Sequence, residues 1–399
     1  MQRAIFAAAE ARSFQRAQIV LQEVGGHPVD AKTIERLVHD VGRELVRRRD
    51  EDSRWGHPLT RVPADPPDLA VVECDGGRIR TREPGRGPGV HLQTEGWRET
   101  KNACLIRAQR QVFDHDPQPE PPECFCNVQH VAKIAETEAL SVASPVALTP
   151  TRRAIEAEEP RSSTTDWRPK RLVRTVLSSM AEAKVFGRQM AREAKQRRFP
   201  EAQAKAFLGD GLPWNWSIWK KHFMDFVPIL DFIHPLSYLY TTARALHANP
   251  DDAWSQYLVW MRGCWQGEVR QVFEELMAWQ QRIGTPPEDA ADQDPRSVLA
   301  RTISYLEHNA GRMQYPTYRQ SGLPVTTAWM ESLVKEINYR VKGTEMFWNN
   351  PEGAEAILQI RAAALCDDAR LADHLQSRAG CPFTRRPIQP ILLDGKNKS

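Results

Sequence analysis

The spacing of apolar residues divides the chain into a helical start, a strand-rich middle and a long helical end. After Asp30, which can cap a helix, Ile34, Leu37, Val38, Val41 and Leu45 recur at helical spacing. Arg36, Arg43, Arg47, Arg48 and Arg49 fall on the other sides of that helix or at its end. With a preceding helix and a Gly25-Gly26-His27-Pro28 break, residues 1–50 have the layout of a DNA-binding helix-turn-helix. A plain helical hairpin gives the same pattern. Residues 51–68 are polar and proline-containing, as a linker is.

From residue 69 the period shortens. LAVVECDGGRIRTRE (69–83) predicts a strand, a tight Asp-Gly-Gly turn and a second strand, and NACLIRAQRQVF (102–113) a third. Residues 114–168 are polar, begin with DPQPEPPE, and read as a flexible loop with one short helix near 128–139. Over 168–199, Val176, Met180, Ala183, Gly187, Met190 and Ala194 share one helical face. Lys184, Arg188, Arg192 and Lys195 share another, which predicts an amphipathic helix with a basic stripe. KAFLGDG (205–211) and FVPILD (226–231) read as strands, with a Trp-rich helix between them.

Residues 251–312 are strongly helical, with Trp254, Trp260, Trp265 and Trp279 spaced to bury one face and a break at GTPPEDAADQDP. The last clear helix is VTTAWMESLVKEINYRVKG, stopped by Gly343. A helical stretch over 351–376 and a basic tail over 377–399 follow. The order β-β-β-α-β-α-β-α makes an α/β domain, and it is the order of the ribonuclease H-like fold. The core would run over 69–239 and 321–376, interrupted by a helical insertion at 240–320.

Composition changes this picture little. With 41% hydrophobic and 26% charged residues a sizeable core can form, and a net charge of +3 permits nucleic-acid binding without demanding it. Cys124-Phe-Cys126 is the only close pair among seven cysteines and lacks a second pair at zinc-site spacing. No secretory leader or long apolar run is present, so the sequence predicts a soluble, cytoplasmic protein with no membrane partner. Motifs for P-loop, dinucleotide, nucleophile-elbow or zincin chemistry are missing.

The carboxylates carry the chemistry. Phosphodiester chemistry uses two divalent ions about 4 Å apart, and Mg²⁺ takes oxygen ligands from a few carboxylates on rigid elements. Asp75 and Asp210 each end an apolar run and precede glycine; an Asp-Gly alone is ordinarily a turn. On the last helix Glu331, Lys335, Asn338 and Lys342 share a face, which fits an ion site bordered by DNA phosphates or a plain solvated Glu–Lys face. Glu336 is a rival acid further round that helix. Asp231 and His234, three apart at a strand-to-helix step, make an auxiliary pair in which His234 can meet a carboxylate or a scissile phosphate.

Five stretches in order resemble the ISKra-type DDE transposases of bacterial insertion sequences: VVECDGGRIRTRE, GWRETKNA, AFLGDGLPWNW, FVPILDFIHPLSYLY and SGLPVTTAWMESLVKEINYRVKGTEMFWNNPEGAEAILQIRAA. The resemblance covers about 69 to 385. It implies a ribonuclease H-like core with Asp75, Asp210 and Glu331 as metal-binding catalytic acids, assisted by Asp231 and His234. It implies two Mg²⁺ or Mn²⁺ ions, double-stranded DNA (element ends and target) as partner, and a homodimer or larger assembly. Family members usually carry a longer N-terminal region, so it also implies a chain shortened at its start. Arg36, Arg43, Lys184, Arg188, Arg192, Lys195, Lys335 and Lys342 would hold DNA backbone, and Trp214, Trp216 or Trp219 would stack on an unpaired or flipped base, the others being core. A DNA-binding protein that no longer cuts, or a nuclease of the same fold acting on branched DNA, are the competing readings.

Overall fold

The structure, a computed structural model, describes residues 1–51, 65–81, 97–143, 167–342 and 348–378. Its centre is a five-stranded mixed sheet: β1 (Leu69–Arg80), β2 (Trp97–Gln109), β3 (Lys170–Ser179), β4 (Ala204–Gly209) and β5 (Val227–Leu230). The spatial order is β3-β2-β1-β4-β5, with β2 antiparallel to both β1 and β3, and β1, β4 and β5 mutually parallel.

Period-two alternation assigns the two faces of β1. Val71 faces the large core and Val72 and Cys74 the smaller one. The smaller core is closed by the helices Ala183–Gln196 and Pro213–His222, through Phe186, Met190 and Ile218 against Phe207. The larger is closed by the helices Ile233–Leu246 and Ala328–Val341, the bundle Pro250–Trp265, Val269–Ile283 and Pro295–Asn309, and Pro351–Ala364. Several helix starts are written in the sequence. Asn249, Asp294 and Asn350 each accept a backbone N–H at the first turn, and each is followed by proline, whose missing N–H costs nothing there.

Three expectations change. Asp-Gly-Gly is not a turn: β1 runs straight through it, and Asp75, Gly76 and Gly77 pair with Asn102, Lys101 and Thr100. Gly77 is small because Thr100 lies opposite; a Cβ there would sit 2.6 Å from the threonine Oγ1. The helix expected over 168–199 is a strand followed by a helix, so Val176 belongs to β3 and only the part from Ala183 is helical. Pairing with β2 along KRLVRTVLSS outweighs a helical spacing that was coincidental there. The start of the long loop is also firmly held. Arg319, 1% exposed, donates to both oxygens of Asp116 (2.8 and 2.5 Å), and Trp265 Nε1 and Tyr257 Oη donate to the carbonyls of Gln118 and Phe125.

The N-terminal helices are not a separate module. Ile34, Val38, Val41 and Leu45 are buried in the large core, and Gly42 lets the helix Ala31–Glu51 lie directly on Ala356. Arg340 and Arg361 donate to the carbonyls of Ala8 and Ala9, and Arg49 is buried in an ion pair with Glu355. Among the described residues no helix is long and apolar enough to cross a membrane. The expected linker over 51–68 falls mostly, and the basic tail over 377–399 almost wholly, outside the described residues.

Candidate active site

Strand register brings three aspartates to one edge. The last β1–β4 pair is Cys74 with Gly209, and the last β4–β5 pair is Gly209 with Leu230. The next residues on the three adjacent parallel strands are therefore Asp75, Asp210 and Asp231, and Asp231 N–H donates to the Gly209 carbonyl at 3.0 Å. Parallel strands present such residues side by side, at the carboxyl ends where open α/β sheets form their crevices.

The three do different things. Asp231 is 1% exposed and clasps Thr327, accepting its backbone N–H at 3.0 Å and its Oγ1–H at 2.6 Å. Thr327 starts the helix Ala328–Val341, and its carbonyl accepts the Glu331 N–H at 2.9 Å. The auxiliary acid thus positions the helix that carries Glu331. Burial raises the Asp231 carboxyl, against the pull of His234, whose Nε2 lies 3.6 Å away.

Asp75 is half-buried and accepts the Gly76 N–H at 2.6 Å. Burial and then the charge of Asp210 raise its carboxyl to about 7. Glu331 is exposed in the first turn of its helix; desolvation by the surrounding protein, followed by Asp231, raises it to about 7, while Lys335 and His234 pull the other way. Asp210 Oδ1 accepts the Leu212 N–H at 2.8 Å and the amide of buried Asn215, which fixes that carboxylate against the helix Pro213–His222. Tyr305 of the helical insertion donates to the Asp210 carbonyl at 3.3 Å and stacks on Tyr238 at 3.9 Å. Gly211, at φ +97°, fits this corner because a Cβ would stand 3.0 Å from the Tyr305 ring.

One acid escaped sequence reasoning. Glu73 is fully buried, two residues before Asp75 on the same face of β1, with neither oxygen hydrogen-bonded among the described residues. Burial, then Asp231, pushes its carboxyl well up beneath the Glu331 helix. Alternation within VVECD was the available signal. Glu336, the rival acid, is held by the Arg174 guanidinium at 3.0 and 3.2 Å and is turned away from the cleft.

The expected DNA contacts scatter. Lys184, Arg188 and Lys195 are exposed on the helix that covers the sheet's other face, away from the carboxylates. Arg192 is half-buried and donates to the Arg49 carbonyl at 2.7 Å, tying that helix to the N-terminal one. Arg36 and Arg43 are exposed on the outer side of Ala31–Glu51, the latter 3.9 Å from Asp40. Lys335 lies beside Glu331, whereas Lys342 is half-buried and its ammonium is lowered by burial and by Arg78. Trp214 and Trp216 pack against the sheet; Arg312 lies 4.3 Å over the Trp216 ring, and neither indole N–H has a partner among the described residues.

Carboxylate oxygens suit a hard divalent cation, and raised carboxyls at Asp75 and Glu331 mark negative charge awaiting compensation. As they stand, no three of His, Cys, Asp or Glu among the described residues are grouped closely enough to hold a metal ion. No protein-family model matches the chain, and no curated protein matches it.

Proposed function

We propose that the chain is a metal-dependent enzyme of DNA strand cleavage and transfer, a DDE transposase built on a ribonuclease H-like core. The observation that carries this reading is the juxtaposition of Asp75 and Asp210 on paired parallel strands, with Glu331 brought over them by the Asp231–Thr327 clasp. The sheet order, three antiparallel strands followed by two parallel ones, supports the fold reading.

Asp75, Asp210 and Glu331 would hold Mg²⁺ or Mn²⁺. When bound, such ions supply charge compensation at the scissile phosphate and lower the pKa of attacking water. The chain's own contribution is orientation. Asn215 fixes Asp210, Asp231 fixes the Glu331 helix, and His234, with Nε2 3.6 Å from Asp231, stands beside that clasp. Double-stranded DNA is the substrate, and two DNA ends processed together call for a homodimer or larger assembly.

The test is nicking of supercoiled DNA and strand transfer of element ends in Mg²⁺ or Mn²⁺. Asp75→Asn, Asp210→Asn and Glu331→Gln should each fall to the metal-free background with DNA binding kept. One observation favours a second reading, a DNA-binding protein that does not cut: the acids are not drawn into a closed metal site. Binding without any metal-dependent cleavage by the unaltered chain would select it.

A further inference from the structure

Beside the Glu331 helix lies a cavity of about 530 Å³, lined by Arg168, Lys170, Arg171, Trp329 and Ser332 among others. It is formed where β3 begins and the helix Ala328–Val341 makes its first turn. Trp329 and Ser332 are three apart and share a helix face distinct from that of Glu331.

Three cations converge there with little to neutralise them. Arg168, Lys170 and Arg171 are exposed, and among the described residues no carboxylate lies within 4 Å of Arg168 or Lys170. Arg171 Nε is 4.0 Å from Asp367, whose same oxygen already accepts the Arg174 N–H at 2.8 Å. Glu336, one turn beyond Ser332, accepts the Ser332 hydroxyl at 3.3 Å and is itself paired with Arg174 at 3.0 Å. Like charges around one concave wall repel unless an anion sits among them, and guanidinium groups match phosphate oxygens in bidentate fashion. Trp329 adds what a simple anion does not need: a half-buried aromatic face, held against the core, beside the cations.

We infer that this cavity is a subsite for single-stranded nucleic acid, with phosphates on Arg168, Lys170 and Arg171 and one unpaired base on Trp329. Its volume lies in the range of small-ligand pockets, ~300–1,000 Å³, which suits a nucleotide rather than a duplex. The subsite rests on the nucleic-acid reading above and deepens it. A strand leaving the carboxylates is gripped further round the same helix.

The test is fluorescence anisotropy of the full chain, without metal, on a labelled oligothymidylate and an abasic oligomer of equal length over a salt series. Arg168→Ala/Lys170→Ala/Arg171→Ala should weaken both ligands about 10-fold or more and reduce the log–log salt slope by about 2, given ~0.7 per phosphate on single strands. Trp329→Ala should weaken oligothymidylate about 5-fold or more and spare the abasic strand, with Trp329→Phe recovering most of the loss. An unchanged salt slope in the triple variant, with its circular dichroism intact, overturns the subsite. Equal losses on both ligands in Trp329→Ala, unrecovered by Trp329→Phe, remove the base contact and overturn it also. Failure of the enzyme reading looks different: no metal-dependent cleavage by the unaltered chain, while the slopes behave as stated.

Discussion

Asp231 and Thr327, 96 positions apart, are joined by two hydrogen bonds that bury the carboxylate almost completely. Through them the end of β5 fixes the first turn of the helix that carries Glu331. Removing the acceptor leaves a buried N–H and a hydroxyl without partners, at about 1–3 kcal/mol each. Asp231→Ala should therefore lower unfolding stability by about 2–4 kcal/mol in urea titration and abolish cleavage. Asp231→Asn should recover part of the stability, because its amide oxygen still accepts one of the two bonds.

Asp75 gives the opposite sign. Its carboxyl is raised from 3.8 to about 7, by burial and by Asp210, so the ionised form is destabilising in the folded chain. A carboxyl raised on folding contributes stability at low pH that is lost as pH climbs from about 4 through about 7. Metal-free protein should thus have a lower Tm at pH 8 than at pH 5.5. Asp75→Asn should flatten that dependence, and millimolar Mg²⁺ should raise the Tm of the unaltered chain at pH 8 but not of Asp75→Asn. A Tm independent of pH across this window in the unaltered chain would contradict the crowding of these acids.

Gly211→Ala should be costly. At φ +97° an alanine is strained, and its Cβ would press on Tyr305 at 3.0 Å. A loss of about 1–3 kcal/mol in chemical denaturation is expected. Tyr305→Ala in the same chain should relieve the contact but not the backbone strain, so recovery will be partial.

Arg319→Met should loosen the start of the long loop. The change leaves Asp116 without its buried partner and the Trp265 carbonyl without a donor at 3.0 Å, a loss of about 3 kcal/mol or more. Limited proteolysis should then cut near residues 113–127, and the unaltered chain should resist cutting there.

What could be read from the chain followed from local regularity. The runs before Asp75, Asp210 and Asp231 were visible as strands, and the face of Glu331 as one side of a helix; these four acids do gather at one end of the sheet. The reading failed where a distant segment decides. Strand β3 carries cations at Lys170, Arg171 and Arg174 and no clean alternation, so only β2 beside it makes it a strand. Gly77 signalled a turn by its chemistry, whereas Thr100 across the ladder is the reason it is small. The DPQPEPPE segment looked loose because nothing local reveals Arg319. Glu73 was hidden inside an apolar run, and its burial depends on a helix more than two hundred residues later.

The packing of the first helices against the last ones sets a timetable for synthesis. The Arg340–Ala8 bond spans 332 positions, so the apolar stripe of the opening helices meets its C-terminal partners only when the chain is nearly complete. At roughly 5–20 residues per second that interval is on the order of 20 to 60 s. For that long Ile34, Val38, Val41 and Leu45 have only the two preceding helices to pack on, and the side that will meet Pro351–Ala364 stays uncovered.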